Sequence, residues 1–268
     1  MRYDFIRQQR KAFPVTVLCQ VMQVSRSGFY QHIRMVPKQI CQDQVALESA
    51  AKELFRKSQK SYGSRRMSKG LRKQGLNVGR YKARRLMRQL ELRVKSRKRF
   101  KSTTDSKHDL PIAPNILNRE FQVNAPDRAW ASDITYIWTC QGWLYLAVVL
   151  DLFSRKIVGW SMQATMTANL VVDALAMAAS RRCLLSGLLH HSDRGSQYAS
   201  EAYRRELEKH KMIASMSRKG DCWDNAVVER FFCSLKTEFT DHMLYSTRDE
   251  ARRAIMEYIE MFYNSDRL

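Results

Sequence analysis

Over residues 224–239 the apolar positions Val227, Val228, Phe231, Phe232, Leu235 and Phe239 recur at three- and four-residue spacing, the pattern of a helix that lays one face on a core. Asp224 stands where it would cap the first turn. On the opposite side Glu229, Cys233 and Lys236 fall on one line along the helix, so a carboxylate and an ammonium share a flank. Alone, such a pair reads as a solvated surface.

Upstream the period changes. Residues 129–138 form a β-rich run, Gln141-Gly142 marks a hairpin, residues 143–150 are nearly all apolar, and residues 155–162 supply a third strand. A helix follows from about residue 167, with Leu170, Val171, Ala174, Leu175 and Ala178 on one side. An apolar run over 184–191 ends at Ser192-Asp193, a helix spans roughly 200–210, and a short strand covers 213–216. A last helix is expected over 249–263. Three strands and then alternating helices and strands define an α/β domain with a mixed sheet and flanking helices.

The first part of the chain is helical. Val15, Leu18, Val21 and Met22 share a face, the pattern breaks near Gln23-Val24, and Ser25 can cap a second helix bearing Phe29, Tyr30 and Ile33. This is either a helix-turn-helix or a plain helical hairpin. A further helix is expected over 43–55, and Gly75-Leu76-Asn77-Val78-Gly79 makes a turn between two more. The segments are 1–37 (helix-turn-helix-like), 38–92 (a basic helical domain), 93–125 (a basic and polar linker) and 126–268 (the α/β domain).

Charge adds a partner. Residues 1–110 hold 28 Lys and Arg against 7 Asp and Glu, while residues 111–268 hold 19 of each, so the whole net charge of +21 sits in the helical part. Arg65, Arg66, Arg72, Lys73, Arg80, Lys82, Arg84, Arg85 and Arg88 carry much of it without interspersed acids. Such a surface expects a polyanion, and nucleic acid fits best, with these residues as phosphate contacts that position the protein on a duplex. A membrane surface is disfavoured by the lack of a long apolar run, signal peptide or lipidation motif. Cys19, Cys41, Cys140, Cys183, Cys222 and Cys233 form no Cys-x-x-Cys pair and read as reduced, mostly buried thiols of a cytoplasmic protein.

Asp133 lies in the first strand of the α/β domain, Asp193 just past the fourth, and Glu229 on the helix after the fifth. If those strands are neighbours, three carboxylates converge, and metal-dependent phosphoryl transfer is the chemistry that needs them. Without cations their mutual repulsion would be costly. Asp151, by contrast, reads as a turn residue, and a structural role is favoured for His191.

Asp133-Ile134-Thr135-Tyr136, His191-Ser192-Asp193-Arg194-Gly195-Ser196-Gln197-Tyr198, and Asp224-Asn225-Ala226 followed by Glu229-Arg230-Phe231-Phe232 and Leu235-Lys236 closely resemble the bacterial insertion-sequence transposases, in their second-reading-frame product. Gly159-Trp160, Tyr263-Asn264, Val24-Ser25-Arg26-Ser27-Gly28-Phe29-Tyr30 and Tyr62-Gly63-Ser64-Arg65-Arg66 extend the likeness over nearly the whole chain. The resemblance implies a ribonuclease H-like, retroviral integrase-like catalytic core preceded by a small all-α DNA-binding region. It implies Asp133, Asp193 and Glu229 as a D-D-E set holding two Mg²⁺ ions, with Mn²⁺ as a substitute, and Lys236 as a DNA contact. The implied reaction is hydrolysis at the ends of an insertion sequence followed by strand transfer. The implied partners are the terminal inverted repeats, the upstream-frame product or a fusion with it, and further copies of the chain, on the bacterial nucleoid. Family members continue past residue 267, so a truncated, non-catalytic DNA-binding product that competes with full-length transposase is the alternative. A nuclease of RNA–DNA hybrids is a third reading.

Overall fold

The computed structural model describes residues 2–34, 42–94, 110–184, 186–219, 221–265 and 267. They fall into two compact units, residues 1–53 and 54–268.

In the first unit three short helices, α1 (Arg2–Gln9), α2 (Val15–Val21) and α3 (Arg26–Arg34), close on a small core of Ile6, Leu18, Cys19 and Phe29. The break after α2 is a Schellman turn. Gln23 takes a left-handed φ of 52°, and the Val24 N–H reaches back to the Cys19 carbonyl at 3.0 Å. Ser25 Oγ accepts from the Gly28 N–H at 3.0 Å, as a capping residue should. Val21 departs from the expected face and is 73% exposed. The pattern also did not announce α1, whose one buried residue is Ile6.

Helix α4 (Gln42–Lys57) leads into the second unit, where α5 (Ser64–Lys73) and α6 (Arg80–Gln89) are joined by the expected glycine turn. Gly75 there has φ +82°, a conformation that favours glycine. Ser68 Oγ donates to the Val78 carbonyl at 2.7 Å and ties the turn to α5. Residues 95–109, most of the basic part of the expected linker, lie outside the described residues. Residues 110–125 are packed rather than free. Leu117 is buried, Phe121 and Val123 rest on the core, and Ser215 Oγ accepts from the N–H groups of Ile116 and Leu117.

The sheet has the order β3-β2-β1-β4-β5, made of β1 (Ala129–Thr139), β2 (Gly142–Asp151), β3 (Ile157–Gln163), β4 (Leu189–Ser192) and β5 (Ile213–Met216). The first three strands pair antiparallel, and β4 and β5 join them in parallel. This is the ribonuclease H-like mixed sheet. Helix α7 (Ala168–Arg181) connects β3 to β4, and α8 (Glu201–Lys209) connects β4 to β5. A 3-10 turn (Cys222–Asn225) precedes α9 (Ala226–Glu238), and α10 (Arg248–Glu257) runs on as a wide π-type turn (Tyr258–Tyr263).

Alternation along β2 explains the layers. Leu144, Leu146, Val148 and Leu150 face the core shared with α9 and α10, whereas Ala147 and Val149 face that of α7 and α8. With both faces covered, β2 has to be apolar throughout. The run expected over 184–191 becomes a strand only from Leu189, because Gly187 at φ +88° turns the chain first. Asn264 clamps β3 by exchanging two 2.9 Å hydrogen bonds with the Ile157 backbone. Asp151 is fully buried and accepts from the Asp127 and Ser154 N–H groups, a turn residue as expected. Of the thiols, Cys19 is buried but Cys140 and Cys183 are exposed, so burial is less general than expected. Among the described residues no helix is long and apolar enough to cross a membrane.

Gly159 of β3 lies hard against the backbone of α7. A Cβ there would stand 2.3 Å from the Ala174 carbonyl oxygen and 2.6 Å from the Ala178 nitrogen. Backbone cannot yield as a side chain can, so Gly159→Ala should destabilise the fold by about 3 kcal/mol or more. Urea denaturation checks this, and a midpoint equal to wild type would refute the packing account.

Candidate active site

Two of the three candidate carboxylates are brought together by strand register. In the parallel pair β1–β4, Ala131 lies opposite His191. Asp133 and Asp193 each follow by two residues, which is one period of side-chain alternation, so both emerge side by side on the same face. Each carboxylate is held by nearby backbone. Asp133 Oδ1 accepts from the Ile134 N–H at 2.8 Å, and Asp193 Oδ1 from the Gly195 N–H at 2.9 Å.

Glu229 arrives on α9, whose start is pinned to β1. Asn225 Nδ2 donates to the Ser132 carbonyl at 3.0 Å, one residue before Asp133. Asp224, expected as the helix cap, does something else. Asn225 occupies the N-cap position, and Asp224 is fully buried beneath it. There Asp224 receives the Arg218 guanidinium through two 3.0 Å bonds, the Arg218 N–H at 2.8 Å, Arg119 Nε at 2.8 Å and Asn115 Nδ2 at 2.9 Å. Its pKa lies far below the usual carboxylate range, with the Arg218 hydrogen bonds the main cause. A short polar side chain serves as a cap only where the helix start is open to it. Here two arginines outbid the backbone. Asp221 takes the local capping role instead, accepting from the Trp223 N–H at 3.1 Å and pairing with Arg119.

The electrostatics single out Asp133. Burial holds its pKa well above the ordinary value, the Asp193 charge raises it further and Glu229 adds to the rise, while the Ile134 N–H and Lys236 oppose. Burial also raises Glu229. Lys236 is half-buried with Nζ 4.6 Å from the centre of the Tyr136 ring; burial lowers its pKa, and Asp241 and Asp133 counteract.

The donor set is all hard oxygen, and its one deep carboxylate is opposed by burial and by like charge, so the residues fit a divalent cation. Asp133 and Asp193 are the adjacent pair. Glu229 is exposed and stands further out. As placed, the three do not close on one point: among the described residues no group of three or more His, Cys, Asp or Glu is close enough to hold a metal ion together.

The histidines before Asp193 are structural. His191 shares hydrogen bonds with Ser215 Oγ at 2.9 Å and Ser217 Oγ at 3.2 Å, and burial pushes its pKa to about 4. His190 meets Ser132 Oγ at 2.9 Å and Tyr203, with its pKa lowered by burial to about 3.

Of the candidate DNA contacts, Arg65, Arg72, Lys73, Arg80, Lys82, Arg84, Arg85 and Arg88 are exposed on α5 and α6. Arg66 stands apart. It is half-buried, packs on the Tyr62 ring and pairs at 3.0 Å with Glu238, the last residue of α9. Glu238 is buried and also holds Arg267 at 2.8 Å and the Tyr258 hydroxyl at 3.0 Å, a junction with no sequence signal.

The chain matches the integrase core domain family over residues 123–222, a second family of that description over residues 229–268, and the HTH-like domain family over residues 42–100. The HTH-like match thus covers α4, α5 and α6 rather than α2 and α3. Sheet, carboxylate placement and family matches together define an integrase-core protein with an HTH-like helical region. The chain is 43% identical over 250 residues to the Insertion element IS600 uncharacterized 31 kDa protein of Shigella sonnei, covering 93% of this chain and 92% of that one. It is 39% identical over 268 residues to Transposase InsF for insertion sequence IS3A of Escherichia coli (strain K12), covering 98% and 92%. It belongs to the IS3-type insertion-sequence transposases, enzymes of nucleic-acid transposition. Among solved structures it is similar to the simian T-cell lymphotropic virus intasome in complex with PP2A regulatory subunit B56 gamma (16% identity, TM-score 0.45, covering 75% of this chain and 66% of that one). The HTLV-2 integrase catalytic core domain in complex with magnesium is another such structure (18% identity, TM-score 0.39, covering 51% and 88%).

The raised Asp133 has a signed consequence. In the folded state it keeps its proton at pH values where the unfolded chain has lost it, so its contribution to stability falls as pH rises from about 4 toward the folded pKa. His190 and His191 act in the other direction. Unfolding lets them charge, so stability is lost as pH falls from about 6.5 toward 4. Asp133→Asn removes the first effect and leaves the second. In EDTA the variant should show a steeper rise of stability with pH between 4.5 and 6.5, by up to about 1.4 kcal/mol per pH unit, and should exceed wild type at pH 8. A variant no more stable than wild type at pH 8 would contradict a repelled, buried carboxylate.

Proposed function

We propose that the chain cleaves DNA at the ends of an insertion sequence and transfers the freed 3′-hydroxyl to a target phosphodiester, with Asp133, Asp193 and Glu229 as the D-D-E residues. The observation that carries the reading is the β1–β4 register, which sets Asp133 beside Asp193, with Glu229 inside the electrostatic reach of Asp133. Mg²⁺, or Mn²⁺ in its place, bound as two ions by these carboxylates would activate the attacking oxygen and stabilise the leaving one.

The chain's own residues position the reactants. The Ile134 and Gly195 N–H groups fix the orientation of the two paired aspartates, so little freedom is lost when the reaction geometry forms. Asn225 and Asp224 hold the base of α9, and Glu229 projects from its first turn. Lys236, one line further along the same flank, meets a phosphate near the element end. The exposed arginines and lysines of α5 and α6 grip the duplex backbone of the terminal inverted repeats and set its register. The upstream-frame product, or a fusion with it, and further copies of the chain complete the assembly on bacterial DNA.

Strand transfer of labelled element-end DNA in Mg²⁺ tests the reading. Asp193→Asn should lower the rate on the order of a thousandfold, the equivalent of several kcal/mol of lost transition-state stabilisation. Equal rates for variant and wild type would remove Asp193 from the catalytic set.

A further inference from the structure

On the side of α9 that adjoins Glu229 lies a cavity of about 890 Å³ that none of the three carboxylates lines. Its walls bring together Arg119, Arg155, Arg230, Arg267, Phe121 and Tyr263 from four separate stretches of chain. The size is that of a small-molecule or nucleotide site.

Two of the arginines are already engaged: Arg119 holds Asp224 and Asp221, and Arg267 holds Glu238 and Ser234. The other two have donors to spare. Arg155 Nη2 donates to the Phe121 carbonyl at 2.8 Å, but its Nη1 is buried with no hydrogen-bond partner. Arg230, exposed on α9 directly after Glu229, makes no ion pair or hydrogen bond to any described residue. The guanidiniums line one cavity with the Tyr263 hydroxyl. Burial raises the pKa of that hydroxyl and Glu238 adds to the rise, while Arg267, Arg155 and Arg230 pull against it.

A buried, unsatisfied guanidinium nitrogen costs free energy until it meets an acceptor. Among the described lining residues the only acid is the exposed Glu120, so the cavity selects an anion. The planar fork of arginine suits phosphate oxygens, and the rings of Phe121 and Tyr263 offer faces to a base. The chain's own basic stretch, residues 93–101, carries the wrong charge to fill it.

We propose that this cavity binds one nucleotide of an unpaired DNA strand, its phosphate held between Arg155 and Arg230 and its base against Phe121 and Tyr263. The proposal rests on the reading that the chain processes DNA ends. A strand leaving the duplex beside Glu229 would be caught one helix face away, which keeps it from re-pairing while the other strand reacts.

The test uses the full chain in EDTA, so that no metal chemistry enters. Binding of a short single-stranded oligonucleotide, with or without a 5′-phosphate, is followed by fluorescence anisotropy across a salt series. Arg230→Gln should lower the salt slope by about 0.7, the value of one phosphate contact on a single strand, whereas Arg205→Gln, on exposed α8, should leave it unchanged. A loss with both oligonucleotides assigns an internal phosphodiester, and a loss only with the 5′-phosphorylated one assigns a terminal phosphate. Arg155→Lys, which keeps the charge but not the fork, should weaken binding at an unchanged slope. In parallel, phenylglyoxal modification of Arg230 should be blocked by the oligonucleotide while Arg205 stays reactive. Equal slopes for Arg230→Gln and wild type, or no protection of Arg230, overturns the proposal. Because strand transfer is not read, these outcomes do not depend on whether the D-D-E assignment holds.

Discussion

The parallel pairing of β1 with β4 is the constraint on which the site depends. Two carboxylates on adjacent strands repel, and burial makes the repulsion worse. Nothing local would choose that arrangement. It is imposed by the apolar core on both faces of the sheet, where Leu146, Val148 and Leu150 on one side and Val149, Leu170 and Leu175 on the other fix the register at a gain far larger than the electrostatic cost. A one-residue slip would send Asp133 to the opposite face and would bury polar positions along the whole strand. The protein therefore holds Asp133 where its ionised form is disfavoured, through the stability of residues distant from it.

Around that pair the supporting polar groups are unusually complete. Asp224 is buried but charged, and five donor contacts from Arg218, Arg119 and Asn115 satisfy it. Buried charges with full hydrogen bonding specify one geometry even where they add little net stability. Here the geometry specified is the bend from β5 into α9, which sets where Glu229 starts. His190 and His191 do similar work under β4, kept neutral by burial and joined to serines on β1, β5 and the segment after β5.

Much of the architecture was legible because it follows periodicity. The all-apolar β2, the hairpin at Gly142 and the amphipathic α7, α8 and α9 are where the pattern puts them. Position in space was legible only where neighbouring strands could be guessed, as for Asp133 and Asp193. What stayed hidden depends on distant partners. Asp224 has the residue type and position of a helix cap, but Arg218 and, from 105 residues earlier in the chain, Arg119 redirect it. Helix α1 has a single buried residue and so no stripe to detect. The strand before Asp193 reads too long because the apolar run continues through Gly187, whose positive φ ends the extended chain. The arginine cavity is assembled from segments that no spacing rule connects.

The junction at Glu238 ties these levels together. One buried carboxylate at the end of α9 is shared by Arg66 from the basic helices, by Arg267 and by Tyr258. The helix that carries Glu229 at its first turn is thereby anchored at its last turn to the element that also presents Arg65 to solvent. Loss of that one carboxylate would leave Arg66, Arg267 and Tyr258 without their shared partner and would release the last turn of α9 from α5.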